Sequence, residues 1–412
     1  MQLSSGTYLA TRYRKFKGYS GNHLSKGAPD SRYNGPVRVL ISAGEASGEM
    51  YGGQLIEAVH RRDASLDFFG VGGERMRAAG CDTVVDAKDL AVVGITEILG
   101  QLPKIYRLFQ ALMAETHRRK PALAIVIDSP AFNWRVARQM HKAGVPVLYY
   151  VAPQFWAWRQ GRVRLLKKYI SKALVIFPFE EQFYRERGVD ATFVGHPLAD
   201  LPHPQIERGD YAAKYKLDAE KHWITLMPGS RIKEVRMNLP TMLEAVAQFG
   251  RAFEFVLPVA PTLDPAFLRT HTKGCSVTLI PESLPGLWHS RAAIVASGTA
   301  TVEAAMMSTP FVMVYRVSRL TYVLGKPRIK VPHFAMVNVI AGEEVVPELV
   351  QADFTTENVI KRLNEIIPEG TPRDEMLEGL ARVKAKMRSP DSRHPADQAA
   401  DVVLQELNRN RS

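Results

Sequence analysis

The sequence predicts an α/β protein of two halves, each a parallel sheet covered by helices, facing one another across a cleft, with C-terminal helices packing back across the junction. Three observations lead there. Short β-rich apolar runs alternate with amphipathic helical windows from Val37 to about residue 200, and the alternation restarts at His222. Alternation of this kind makes a parallel sheet covered on both faces. Between the two runs, residues 200–221 are polar and carry Pro202 and Pro204, the make-up of a linker. After about Thr355 the chain turns helical and charged to its end. The expected partition is a basic disordered extension over 1–36, an N-terminal half over 37–200, a C-terminal half over 222–355 and terminal helices over 356–412.

The first half opens with the strand Val37–Ile41, which leads into LISAGEASGEMYGG (40–53). A strand that opens into small residues around one acid, Glu45, and one hydroxyl, Ser47, has two readings. The glycines make a tight turn, since they reach backbone angles other residues avoid. Alternatively they bring a phosphate or sugar close to a helix start. Helical windows at Gln54–Arg62 and Leu102–Arg118, with strands at Phe68–Val71, Leu123–Ile127, Val147–Val151, Ala173–Phe177 and Thr192–Val194, complete this half. Ligands of open α/β sheets bind beyond the carboxyl ends of the strands, which singles out Asp128 at the end of IVID. A carboxylate there suits a general base, because dry surroundings tune its pKa. It equally suits a helix N-cap, for which Asp is favoured. Position alone does not choose.

In the second half, strands are expected at His222–Met227, Phe253–Pro258, Ser276–Leu279, Ala292–Ala296 and Phe311–Tyr315, and helices at Met237–Phe249 and Ala300–Met307. The first of these strands runs into Pro228-Gly229-Ser230-Arg231, whose backbone N–H groups and guanidinium are equipped to grip a diphosphate. Further on, ASGTAT (296–301) leads directly into a helix containing Glu303. Small residues at a helix start let phosphates approach its free N–H groups, and Glu303 is placed to accept hydrogen bonds from a ribose. A surface turn explains either stretch by itself. Together, at strand ends of one half, they read as a nucleotide-diphosphate site.

Composition sets the outer bounds. With 46% hydrophobic and 23% charged residues, the 412-residue chain is an ordinary soluble globular one with room for two cores. Cys81 and Cys275 lie far apart without metal-ligand spacing, which argues against a disulfide framework or structural zinc and for a reducing compartment. No apolar run approaches the roughly 18 residues of a spanning helix, so membrane contact is expected to be peripheral. The net charge of +12 is uneven. Residues 1–36 carry six Lys/Arg against Asp30 alone and have no h-region of a secretory signal. A disordered extension is one reading of that tail, and a transit peptide is the other. Trp156–Phe179 and Arg316–Phe334 hold six and five Lys/Arg and no acid. Such patches suit nucleic acid and an anionic membrane surface alike.

Several motifs are absent. There is no GxxxxGK[ST], so a P-loop is excluded, and GEASG is not the GxSxG of a nucleophile elbow. Gly70-Val71-Gly72-Gly73 lacks the third glycine of a dinucleotide fingerprint. No two aspartates stand one residue apart, so the Asp-x-Asp metal clamp of one class of sugar-nucleotide transferase is missing. A two-domain transferase that uses helix dipoles and Arg231, with no metal and no cofactor, fits this set.

Ordered stretches over most of the chain then match one family: AGEASG (43–48), GVGGERM (70–76), DLAVVGITEILG (89–100), YVAPQFWAWRQGRV (150–163), FPFEEQFY (177–184), VGHPLAD (194–200), LMPGSRIKEV (226–235), ASGTATVEA (296–304) and PHFAMVNVIAGEEVVPELVQ (332–351). From about Val37 the sequence closely resembles the lipid A disaccharide synthases, inverting glycosyltransferases with two Rossmann-like domains of the GT-B type. The resemblance implies condensation of UDP-2,3-diacylglucosamine with 2,3-diacylglucosamine 1-phosphate into the β-1,6-linked disaccharide 1-phosphate, releasing UDP, in lipid A and lipopolysaccharide biosynthesis. It implies a cytoplasmic enzyme peripheral to the inner membrane. Asp128 matches the family's proposed base, which takes the proton of the acceptor 6-hydroxyl, and Arg231 the arginine that neutralises the departing diphosphate. Glu45 and Ser47 match first-loop residues, and Asn338 and Gln351 polar residues near the nucleotide. Gly44, Gly48, Gly229, Ser230, Glu234, Ser297, Gly298, Thr299 and Glu303 fall in matched motifs as binding residues for substrate or UDP. One departure stands out. Ala131 occupies a position where family members often carry a second aspartate, which favours Asp128 as the essential acid.

Acylated substrates account for a membrane habit. Gly94–Met113 is apolar for a surface element, with Ile98, Leu99, Leu102, Ile105 and Leu108. It either dips into a membrane and admits acylated sugars or packs in the core. Trp156 and Trp158, followed by Arg159, either sit at headgroup level or belong to the core. Family dimers exchange C-terminal elements, so a homodimer is compatible with the helices after Thr355, and no nucleic-acid partner is expected. Two other functions compete. A soluble UDP-sugar 2-epimerase shares the two-domain layout but has no need of the apolar Gly94–Met113 stretch. A non-catalytic protein binding nucleic acid or membrane accounts for the charge, but not for Asp128, Arg231 and Glu303 together.

Overall fold

The structure is a computed structural model and describes residues 37–90, 95–318, 322–323 and 331–409. The basic extension and much of the second acid-free stretch lie outside the described residues.

The first sheet is built from β1 (Arg38–Ala43), β2 (Asp67–Gly72), β3 (Cys81–Asp86), β4 (Leu123–Ile127), β5 (Val147–Tyr150), β6 (Lys172–Val175) and β7 (Ala191–Phe193), in the order β3-β2-β1-β4-β5-β6-β7. All of its pairings are parallel. Parallel strands covered by helices on both faces need apolar side chains on both, which is why β4 reads LAIVI and is buried at every position. The second sheet comprises β8 (His222–Met227), β9 (Phe253–Pro258), β10 (Thr278–Ile280), β11 (Ala292–Ala296), β12 (Phe311–Tyr315) and β13 (Glu348–Val350), again parallel, in the order β10-β9-β8-β11-β12-β13. In each sheet the chain winds one way from the central strand and then the other. The crevice opens where the winding reverses, between β1 and β4 and between β8 and β11. Those four strands carry the loops that the sequence marked for chemistry.

Several elements differ from expectation for identifiable reasons. The first helix runs from Ala46 to His60, not from Gln54, so Ser47, Gly48, Gly52 and Gly53 are helical. Its glycines serve close packing: a Cβ on Gly52 would stand 2.9 Å from the Met76 sulfur and 3.3 Å from Ile127. The helix therefore lies closer to β4 than side chains would allow. β3 and β13 were not expected. Both are edge strands, one partly polar (CDTVVD) and the other three residues long. The polar stretch 200–221 contains a helix, Arg208–Tyr215, whose Tyr211 packs beside Trp223.

Three helices end the chain: Thr356–Ile366, Thr371–Met387 and Pro395–Arg409. The last returns to the first helix of the other half. Arg61 reaches Asp397 at 2.9 Å, and Arg62 reaches Asp397 at 2.8 Å and Asp401 at 2.7 Å. Where the chain crosses back, the His196 N–H donates to the Met387 carbonyl at 2.9 Å. Among the described residues no helix is long and apolar enough to cross a membrane.

Candidate active site

The turn after β4 is the most constrained part of the cleft. Asp128 and Ser129 both have left-handed backbones, at φ 46° and 44°, which is uncommon for any residue other than glycine. Two side chains hold the turn, and the Ser42 hydroxyl braces one of them. Asn133 donates to the carbonyls of Ile127 (2.9 Å), Asp128 (2.8 Å) and Ser42 (3.2 Å), and accepts from the Ser42 hydroxyl at 2.7 Å. The Tyr149 hydroxyl donates to the Asp128 carbonyl at 2.8 Å. The helix that follows begins at Pro130 with Ser129 at its N-cap position, so the N-cap reading of Asp128 fails by one residue. Asp128 is partly buried, and its carboxyl is pushed up to about 6, by burial first and by the charge of Glu45 second, with the Ser129 N–H pulling the other way.

The loop after β1 lies against this turn. β1 and β4 pair with Ala43 opposite Ile127, and a Cβ on Gly44 would come within 2.6 Å of the Ser129 hydroxyl. A side chain at 44 would have to push the Ser129 hydroxyl aside. Glu45 and Ser47 are exposed at the loop and the first turn of the helix, and Gly48 is buried against Ile127. One helical turn on, the buried Tyr51 phenol is raised to about 12, by burial first, then by Asp128, then by Glu303 of the second half. Tyr51 thus lies within electrostatic reach of acids from both sheets.

In the second half, Gly229 has φ +119° and Arg231 precedes the helix Ile232–Phe249. The Glu234 carboxylate folds back over this loop, accepting from Ser230 N at 3.0 Å, Arg231 N at 3.2 Å and the Arg231 guanidinium at 3.1 Å. The two amides expected to grip a diphosphate are thus taken by an internal acid, while the Arg231 side chain is 82% exposed. The neighbouring loop is open. Gly298 (φ +139°) precedes the helix Thr299–Met306, Gly298 and Thr299 are exposed, and a Cβ on Gly298 would meet nothing within 4 Å. Ser297 donates to the Phe334 carbonyl at 2.8 Å. Glu303 accepts from Ser283 at 2.8 Å, and burial holds its carboxyl above the usual range.

The sequence pattern of the lipid-A-disaccharide synthetase family matches residues 39–401. The chain belongs to that family. It is 49% identical over 374 residues to the lipid-A-disaccharide synthase of Koribacter versatilis, covering 89% of this chain and 98% of the relative. The Acidobacterium capsulatum enzyme of the same description is 47% identical over 370 residues, with 86% and 92% covered. That of Myxococcus xanthus is 40% identical over 382 residues, with 90% and 98% covered. Two solved structures share the fold at low identity. A calicheamicin glycosyltransferase superposes with a TM-score of 0.57 at 16% identity, covering 90% of this chain and 98% of the other. A UDP-GlcNAc 2-epimerase from Neisseria meningitidis, bound to UDP-GlcNAc, gives 0.58 at 14%, covering 90% and 100%. The fold is therefore GT-B, and the family membership makes the chain a glycosyltransferase that forms the lipid A disaccharide.

Several of the residues marked by the sequence have structural duties. Asn338 is fully buried and fully bonded: its amide donates to the Val346 carbonyl (2.9 Å) and to Glu348 (2.8 Å) and accepts from Val345 N (2.9 Å) and Val346 N (3.0 Å). Nothing on its side chain is left for a nucleotide, so it orders the segment before β13. Gln351 stands at φ +55°, and its amide, oriented to satisfy both groups, donates to the Val317 carbonyl at 3.1 Å and accepts from Val317 N at 2.9 Å. Trp156 is buried, with its indole N–H on Glu180 at 2.7 Å and its ring edge-on to Phe179. A headgroup position is thereby excluded for it. Arg159 is exposed. Leu102 is 47% exposed, on the helix Ile95–Arg119; the side chains of Ile98, Leu99 and Trp158 lie outside the described residues.

The sequence reading missed four contributors. Asn133, two residues after the Ala131 departure, was not singled out, and Tyr51 fell in the stretch read as a glycine-rich loop. Glu348 accepts from Phe334 N (2.9 Å), Ala335 N (2.9 Å) and Asn338, anchoring the loop that Ser297 touches. Glu180 stands beside a second acid, Glu181, in FPFEEQFY, so the sequence carried no signal that it alone is buried.

Proposed function

We propose that the chain joins UDP-2,3-diacylglucosamine to 2,3-diacylglucosamine 1-phosphate through a β-1,6 linkage, with Asp128 as the base. The observation that carries this is the Asp128 turn: a strained turn at the crevice whose Asp128 backbone carbonyl accepts from Asn133 and Tyr149, and whose carboxyl has its pKa raised to about 6. A base of that pKa is largely ionised at neutral pH while keeping proton affinity. Asp128 takes the proton of the acceptor 6-hydroxyl, and the oxygen attacks the donor's anomeric carbon. The bond from that carbon to the UDP oxygen breaks from the opposite face, so the configuration inverts and UDP leaves with the electron pair.

Charge builds on the departing diphosphate, and donors fixed in advance stabilise such charge well. Arg231 and the open N–H groups at Thr299 and Ala300 are the groups for this role, and Glu303 serves the ribose. The exposed Leu102 and Tyr106, at 47% and 62%, support acyl chains or a cytoplasmic-face inner-membrane surface beside the N-terminal half. In a homodimer that exchanges C-terminal helices, the Arg61 and Arg62 contacts with Asp397 and Asp401 would form between copies.

The test is product formation. Wild type and Asp128→Ala are incubated with both lipid substrates in detergent with EDTA. Disaccharide from wild type and almost none from the folded variant is expected. A well-folded wild type that binds UDP and makes no disaccharide would refute the substrate assignment.

A further inference from the structure

Two adjacent strands of the first sheet end in the same strained way. β4 runs into Asp128 at φ +46° and β5 into Val151 at φ +56°, and the pairing of Ile127 with Tyr150 sets the two residues side by side. For a β-branched residue such a backbone is a genuine outlier. Strain of this kind persists only where the surroundings over-determine it. Around Val151 those surroundings are three: Val151 N–H donates to the Leu174 carbonyl at 3.0 Å, the Tyr184 hydroxyl donates to the Pro153 carbonyl, and the Trp156 indole N–H donates to Glu180 at 2.7 Å.

Glu180 is the unusual member. It is wholly buried and, among the described residues, in no ion pair. Its second oxygen accepts from Ile176 N at 3.2 Å and Phe177 N at 3.1 Å. Burying a carboxylate without a cation is costly, and an apolar residue of similar volume would fill the space more cheaply. What the carboxylate adds is a three-way tie between the segment after β5 and the segment after β6. The tie continues outward. Phe177 packs 5.0 Å from His196, whose N–H is bonded to Met387 where the C-terminal helices cross.

We propose that Glu180 is a positioning residue for the acceptor: through Trp156 it fixes residues 151–159 beside Asp128, and that segment is the wall against which the acceptor sugar is set. The proposal rests on the acceptor lying on the first half with Asp128 as its base. Glu180 itself touches no substrate.

Glu180→Gln keeps the volume but turns an N–H₂ toward one of the three donors. Trp156→Phe removes the indole donor and leaves the carboxylate in place, which covers the case of an E180Q chain that does not fold. Acceptor and donor are varied separately, with UDP binding and thermal melts measured on the same samples. Each variant is expected to raise the acceptor KM about tenfold, the scale of one hydrogen bond to a charged group, with donor KM and UDP affinity within about twofold. The double variant is expected to be no worse than the weaker single, since both break one contact. Donor and acceptor KM moving together, or a lowered Tm with both KM values unmoved, would overturn the proposal. Asp128→Ala run alongside separates the two levels. Activity left in that variant refutes the underlying assignment of the base, whereas an inactive D128A with an unmoved acceptor KM in E180Q and W156F refutes this inference alone.

Discussion

The electrostatics of Asp128 set both its chemistry and its cost. Its folded pKa of about 6 lies above the ordinary carboxylate value of 3.8, through burial and the Glu45 charge. The group's contribution to stability is therefore full below its unfolded pKa and is lost as pH rises through about 6. Catalysis by the proposed base has the opposite sign, because a carboxylate takes a proton only when ionised. Turnover is expected to fall as pH drops below about 6. Glu45→Gln removes one of the two raising influences, so its acid limb should lie at lower pH than that of wild type. Initial rates at saturating donor across pH 5 to 8 would check this, and coincident limbs would argue against the pairing of Glu45 with Asp128. Asn133 acts through the backbone. Asn133→Ala leaves the Asp128 and Ile127 carbonyls and the Ser42 hydroxyl without their partner, a loss of about 2–3 kcal/mol. Denaturant unfolding should register that loss, with turnover reduced further than UDP binding.

At the scale of elements, the central strands were legible because burial on both faces leaves little choice but β-branched and aliphatic residues. β4, β8, β9, β11 and β12 begin and end where the apolar runs do. Helix starts were less legible. AGEASGEMYGG reads as a loop because its glycines disfavour helix by roughly 1 kcal/mol each, yet Ala46–His60 is helical since those glycines let it lie against Met76 and Ile127. Local propensity lost to tertiary packing. The loop after β8 was located by its strand end, but no spacing rule reveals that Glu234 folds back onto Ser230 and Arg231. The helix Ile95–Arg119 presents both readings of its apolar stretch at once: Phe109 and Leu112 are buried while Leu102 and Tyr106 are exposed. Leu102→Asp with Tyr106→Asp is expected to weaken binding to anionic liposomes severalfold, seen by flotation, and to leave UDP affinity unchanged.

At the scale of the whole molecule, the fold brings together at one crevice groups far apart in sequence. The proposed base and its Glu45 neighbour belong to the first sheet, and the groups proposed for the diphosphate and ribose belong to the second. Tyr51, under the influence of both Asp128 and Glu303, marks where the two sets meet. Sequence patterns predicted that arrangement in outline, since strand ends and switch points follow from topology. They did not reveal that Asn338, Gln351 and Trp156 are spent on holding loops, because a buried, fully bonded polar group looks like a ligand-binding one until its partners are known. The central claim is that acceptor chemistry and donor binding are divided between the halves. Calorimetric UDP binding and disaccharide turnover, measured together on Asp128→Ala and Arg231→Ala, test it most directly. The account predicts that D128A binds UDP within about twofold of wild type and makes almost no product, while R231A loses at least about tenfold in UDP affinity, the scale of a charge-assisted contact. A D128A chain that loses UDP affinity as fully as turnover, or an R231A chain with unchanged UDP binding, would contradict it.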